Sequence, residues 1–463
     1  MIGSTLQMKN SMLLRLLTVS ALLLGIAGFS GCSIVSKIEN FDIRSIASGI
    51  TNFAHGQFKP IRSRYFHPAG RLKSKFFSQA ILLKDGKILL VSGNFELGSS
   101  NSGDSVPEIY DPKTETTVVS SNFLGEDFTK NYNWYSELSA ITLQDGRLLF
   151  VGDSSIAVRL KAKEGKPGHT KQKQFPTACL VDPKTGKSKF YYDHELMYSA
   201  GQLIMKPDGH VLVFSGLVSP YTKNVGNVFE FNPKDEAFET VAHIKDVPDG
   251  MPDKPFWLLN NKEQIAFKDE FKGRPDTPFW LDKDHIILMG TLDSRHHLVE
   301  LYNTHNNTSE ISTRLSWVFR PKFIAKLPDG TLLESDSINH SGTKFRVYNP
   351  KIKQYTDIPG TLHTYLSSTQ LSDGNVLLLA DEQIALFNAK SKTIKFIDQF
   401  NRKLSRPFLI TTPTDKVYLL GGSFASEKGH TIFDGINQDV LVFDYKKYLQ
   451  EHSGGAVQKV KLI

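Results

Sequence analysis

Two cysteines in 463 residues, Cys32 and Cys179, exclude a disulfide framework, and if Cys32 is engaged elsewhere no intrachain bridge can form. A hydrophobic core must then hold the fold, and 40% hydrophobic content supplies one. Charge of one sign is also scarce: 55 basic against 48 acidic side chains give +7, far from the concentrated stripe of a nucleic-acid binder. The densest basic stretch, Arg159 to Lys173 (RLKAKEGKPGHTKQK), reads as a solvated loop that could meet anionic lipid or polysaccharide. No nucleophile elbow, phosphate loop or H-E-x-x-H pattern occurs. Nothing in the sequence therefore points to a cofactor.

Long apolar runs are absent but for one. Leu13 to Ala27 reads LLRLLTVSALLLGIA behind a basic leading edge, shorter than the roughly 20 residues of a spanning helix. That is the pattern of a signal peptide. It ends at Phe29-Ser30-Gly31-Cys32, which resembles the bacterial lipobox, with phenylalanine where leucine is usual. The resemblance implies residues 1–31 as signal peptide, a lipid on Cys32, and 32–56 as a tether. Ser33, rather than aspartate, then implies the outer membrane of a Gram-negative envelope. Several acyl chains, each methylene contributing about 0.8 kcal/mol, hold a soluble domain at a membrane.

What the rest contains is a repeat. Apolar strand, Asp-Gly turn and apolar strand recur at Ala80 (AILLKDGKILLVSG), Ala140 (AITLQDGRLLFVGD), Gln202 (QLIMKPDGHVLVFSG), Phe323 (FIAKLPDGTLLESD) and Ser368 (STQLSDGNVLLLAD). Degenerate copies start at Phe279 and Ile410. Asp-Gly between apolar strands is a strong hairpin signal, expected here as a two-residue type I′ turn. A second phrase closes each unit: IYDPKTE, LVDPKTG, EFNPKDE, LYNTHNN, VYNPKIK, LFNAKSK and VFDYKKY. Asx-Pro favours turn initiation, and a period of this length signals a propeller or solenoid.

The pairing of the two phrases resembles the kelch family of β-propellers, in the variant LxDGxVLVxGG followed by YDPxT. It covers about Phe58 to Tyr445. It implies an all-β, seven-bladed propeller over 57–446 with four-stranded antiparallel blades, strand A innermost and D outermost. The N-terminal segment Gly56 to Tyr65 is expected to close the ring beside the strand ending at Asp444, with the C-terminal AVQKVKLI in 447–463 as rival. Residues 246–276 read as an insertion, and their FWLLNNKEQIAFK mimics a further hairpin.

In such a ring the A-B and C-D turns share one face, while the B-C and D-A connections share the other. Recognition commonly sits on the longer connections. Asp153, Asp293, Asp336 and Asp381 fall at B-strand ends, where converging carboxylates could bind a hard cation, a basic peptide or sugar hydroxyls; equally, each could cap its own loop. Trp134, Tyr135, Glu137, Tyr198, Arg320, His363, Tyr365 and Arg406 start the A strands on that face. Aromatic and arginine side chains suit carbohydrate or protein recognition, or else pack and bridge the blades. His296 and His297 are adjacent on a strand and point to opposite faces, so no metal is expected there.

Galactose oxidase and its relatives place copper on a kelch-like propeller, using a Tyr-His pair. This sequence has no Tyr-His dipeptide, and Cys179 falls in a C strand. Copper chemistry is not expected. The functional expectation is a lipid-anchored, non-catalytic binder of an envelope protein or glycan, the alternative being a carbohydrate-active propeller with mutarotase-like acid-base chemistry, Glu137 and the aspartates as candidates.

Overall fold

The computed structural model describes residues 60–73, 77–92, 107–119, 138–152, 157–159, 170–172, 177–192, 202–214, 227–243, 278–291, 296–316, 320–338, 342–363, 365–405, 407–424 and 435–452. All belong to one compact unit, Pro60–Ile463. Seven four-stranded antiparallel sheets form a seven-bladed β-propeller. Blades 1 to 6 span 77–119, 138–191, 202–243, 279–316, 320–362 and 365–399, each a simple meander from A to D. Cys32, the tether, 246–276 and the C-terminal 453–463 lie outside the described residues. No helix among those described is long and apolar enough to cross a membrane.

Blade 7 is built from both ends of the chain. Phe408–Thr411, Lys416–Leu420 and Asp439–Asp444 form its strands A to C, and Phe66–Arg71 pairs with the last of these as strand D. The closing strand therefore starts after Tyr65, later than the sequence suggests. Its displacement has a local cause: the Asp398 carboxylate in blade 6 accepts the backbone N-H groups of Arg64 and Tyr65 at 2.6 and 3.1 Å and the Ser63 hydroxyl. Those groups are spent on a side chain, so the segment cannot begin a ladder until Phe66. A helix, Tyr445–His452, follows strand C and packs Tyr445 and Tyr448 into the same closure.

Most B strands are apolar without alternation because both of their faces are covered; blade 5 departs from this, burying Glu334 against Arg346. In blade 1, Ile88 and Leu90 face blade 7 while Leu89 and Val91 face blade 2. Buried on both sides, such a strand loses the polar half of its pattern. Seven hydrophobic clusters result, one at each boundary between blades. Cys179 lies in the cluster between blades 1 and 2. Burial pushes its thiol up, which suits packing and not reactivity.

The Asp-Gly turns are not the two-residue type expected. In blade 1, Gly86 N-H donates to Leu83 O at 3.0 Å and Leu83 N-H to Lys87 O at 2.8 Å. Gly86 has φ of 86°, while Asp85 is not among the residues with positive φ. This is a three-residue loop, a type I turn followed by one left-handed residue. The aspartate chooses it by accepting the N-H two residues on, as at Lys87, Arg147, His210, Thr331 and Asn375. In blade 7 the left-handed position is held by Asp415, with φ of 61°.

Candidate functional site

The two faces of the ring differ in kind. On the Asp-Gly face, bonds run from blade to blade. Lys84 Nζ donates to Gln144 O at 2.9 Å, Gln144 Nε2 to Pro207 O at 3.4 Å, and Trp280 Nε1 to Met205 O at 2.9 Å. Lys326 Nζ donates to Leu281 O at 2.8 Å, and Ser372 Oγ to Asp415 Oδ2 at 2.6 Å. Tyr110 OH closes blade 1 onto Ala69 O of the N-terminal strand. A cavity of about 740 Å³ opens here at the channel mouth, lined from blades 1, 5, 6 and 7. The polar side chains Lys326, Gln370, Ser372 and Asp415 in its wall are already engaged between blades. The wall is built to hold the ring together.

The opposite face carries added structure. A hairpin of Ala157–Arg159 and Thr170–Gln172 rises from the B-C connection of blade 2. Leu404–Ser405, Ser423–Phe424 and Gly435–Ile436 form a separate three-stranded sheet from the link entering blade 7 and that blade's B-C connection. Arg402 lays its guanidinium 3.7 Å above the centre of the Phe424 ring, the distance of a cation-π contact.

Of the aspartates singled out from the sequence, Asp153 and Asp293 lie outside the described residues. Asp336 is a paired residue inside strand Leu332–Ile338, opposite Pro321 and Lys344. Asp381 instead begins the two-residue connection between Val376–Ala380 and Gln383–Asn388. Counted from the first residue of its strand, Asp381 stands one position further along than Asp336. One lies within a ladder and the other in a turn with φ of 50°, so the two are not equivalent. Arg320 and Tyr365 each open the A strand of their blade, whereas Trp134, Tyr135, Glu137, Tyr198 and Arg406 lie outside the described residues.

Around Asp381 the structure assembles a group that sequence spacing could not reveal. His363, in the link from blade 5 to blade 6, is held by its backbone N-H, which donates to Gln383 Oε1 at 2.9 Å. Its Nδ1 then lies 3.5 Å from Glu382 Oε1. Lys403 Nζ stands 4.0 Å from Asp381 Oδ2. Burial pushes the Asp381 carboxyl up, and Glu382 adds to this, while Lys403 and His363 pull the other way. Phe400 N-H donates to Glu382 O at 2.8 Å, tying the connection down through its backbone.

No known family profile matches the sequence, nor does any curated protein. Among solved structures, the chain is similar to a fungal alcohol oxidase of the AA5 family in complex with copper, at 9% identity and a TM-score of 0.48, covering 84% of this chain and 76% of that one. It is likewise similar to an oligogalacturonate lyase in complex with manganese, at 12% identity and a TM-score of 0.47, covering 83% and 96%. At such identities the likeness is one of fold.

Proposed function

We propose that this protein is a lipid-anchored envelope propeller that binds a protein or glycan through its B-C face without catalysing a reaction. The observation that carries the reading is the asymmetry of the ring. Short, self-capped turns occupy one face, while the added hairpin and three-stranded sheet occupy the other. A rigid scaffold with its irregular elements gathered on one side is the usual design of a recognition surface. The anchor rests on Cys32 following the apolar run.

The test is thermal stability of the full chain against oligosaccharides, cell-wall fragments and candidate envelope proteins. A ligand at 100 times its dissociation constant adds about 2.7 kcal/mol. The shift should vanish with Arg402→Ala and survive Gln370→Ala at the opposite mouth; the reverse pattern would move the site to the Asp-Gly face. Separately, Cys32→Ser should release the protein from the membrane fraction. Unchanged fractionation would overturn the anchor.

A further inference from the structure

Among the described residues, two groups of histidine and acidic side chains bring their ligand atoms together, and they differ in whether their charge is already answered. In blade 3, Glu230 Oε1 accepts Lys206 Nζ at 3.0 Å and meets His210 Nδ1 at 2.5 Å, and the same lysine lies 3.4 Å from Asp208. The ammonium sits where a cation would. In blade 6, His363, Asp381 and Glu382 place one ligand atom each within 4.8 Å of one another. Here the nearby Lys403 stands 4.0 Å from one carboxylate and is itself half exposed.

Glu382 Oε2 is closed off from solvent and has no hydrogen-bond partner. A carboxylate oxygen shut away from water without a donor carries a desolvation cost that a bound cation would offset. The unanswered oxygen belongs to the side chain that His363 faces. Two ligand atoms about 2.1 Å from one ion in tetrahedral directions lie about 3.4 Å apart, close to the 3.5 Å between His363 Nδ1 and Glu382 Oε1.

We propose that His363, Asp381 and Glu382 form a site for one divalent cation of the zinc class. One imidazole nitrogen with two carboxylates favours zinc over calcium or magnesium, which prefer oxygen alone. Three protein ligands leave a coordination position open to water, or to a carboxylate or hydroxyl of a ligand. The ion would also clamp the link entering blade 6 to the B-C connection of the same blade. The site stands whether or not the binding function proposed above is correct.

The test is calorimetric titration of the chelator-treated full chain with zinc chloride alone. One zinc per chain is expected, with affinity falling at least about ten-fold in His363→Gln and in Asp381→Asn. His210→Gln, in the blade 3 group, should leave it unchanged. The His363 side chain is 53% exposed, so its replacement spares the fold, and equal melting of variant and parent in chelator checks this. Absence of a zinc heat, or zinc binding that persists in both blade 6 variants, would overturn the site. Binding lost with His210→Gln instead would assign the zinc to blade 3 and overturn it equally.

Discussion

Asp415 tests whether the blades are joined by particular side chains or only by shape. It occupies the position that glycine holds in five other blades, with the same turn bond, its N-H donating to Thr412 O at 3.0 Å. A repeat-based design would restore the glycine. Left-handed backbone costs an ordinary residue about 1–2 kcal/mol, and glycine's extra unfolded freedom returns about 0.5–1 of that, so the backbone alone predicts a small gain. Asp415 Oδ1 and Oδ2, however, accept the Ser372 N-H at 3.1 Å and the Ser372 hydroxyl at 2.6 Å across the boundary to blade 6. Each bond to a carboxylate contributes about 1.5 kcal/mol at the lower end, suited to a partly solvated pair. Asp415→Gly should therefore destabilise by about 2 kcal/mol net. Lys353→Gly, at the exposed C-D turn of blade 5 with φ of 55°, makes the same backbone change and should stabilise by about 0.5–1 kcal/mol. Urea unfolding of both variants gives the signs directly. If Asp415→Gly is as stable as the parent, the bridge contributes nothing and the interblade argument fails; a double-mutant cycle with Ser372→Ala should otherwise show coupling of about 1 kcal/mol or more.

Glycine positions differ in the same way. Gly330→Ala meets open space and should cost about 1 kcal/mol from its φ of 83° alone, whereas in Gly374→Ala the new Cβ overlaps the Pro328 ring, raising the cost to about 2–4 kcal/mol by denaturant unfolding. The raised Asp381 carboxyl makes the folded state bind a proton that the unfolded state has released. Its contribution to stability should thus be lost as pH rises from the ordinary 3.8 through the raised value, and Asp381→Asn should flatten that part of the profile measured by melting. With Cys32→Ser leaving one thiol, Cys179 should resist a thiol reagent in the native protein and react at the rate of unfolding; rapid labelling without denaturant would refute its burial.

The blades were legible because every one repeats the same physical solution. A B strand covered on both faces favours an apolar run, broken only in blade 5 by Glu334 paired with Arg346, and a turn that caps itself needs an Asx at a fixed offset. Both leave a mark at constant spacing. The turn type was less legible, since Asp-Gly serves two geometries and the three-residue one is favoured by the Lys87 N-H donating to Asp85 Oδ1. The closing strand was misplaced by its first turn because Asp398, more than 300 residues away, takes the N-H groups of Arg64 and Tyr65. Nothing local announces that partner.

The candidate site resists sequence reading for a related reason. A rigid ring lets each connection on the B-C face vary without cost to its neighbours, so side chains that meet there need share no spacing. Asp336 and Asp381 look alike as residues following apolar runs, yet a difference of two residues in strand length puts the first inside a ladder and the second at a turn. His363 joins Asp381 through a link that ends one blade and begins the next, positioned by the side chain of Gln383 and not by any repeat. The features that made the fold readable are therefore the ones that packing and turn geometry hold constant around the ring. A recognition surface has to depart from them, and in blade 6 the departure is a two-residue connection, Asp381-Glu382, whose carboxylates face a histidine and a single distant lysine.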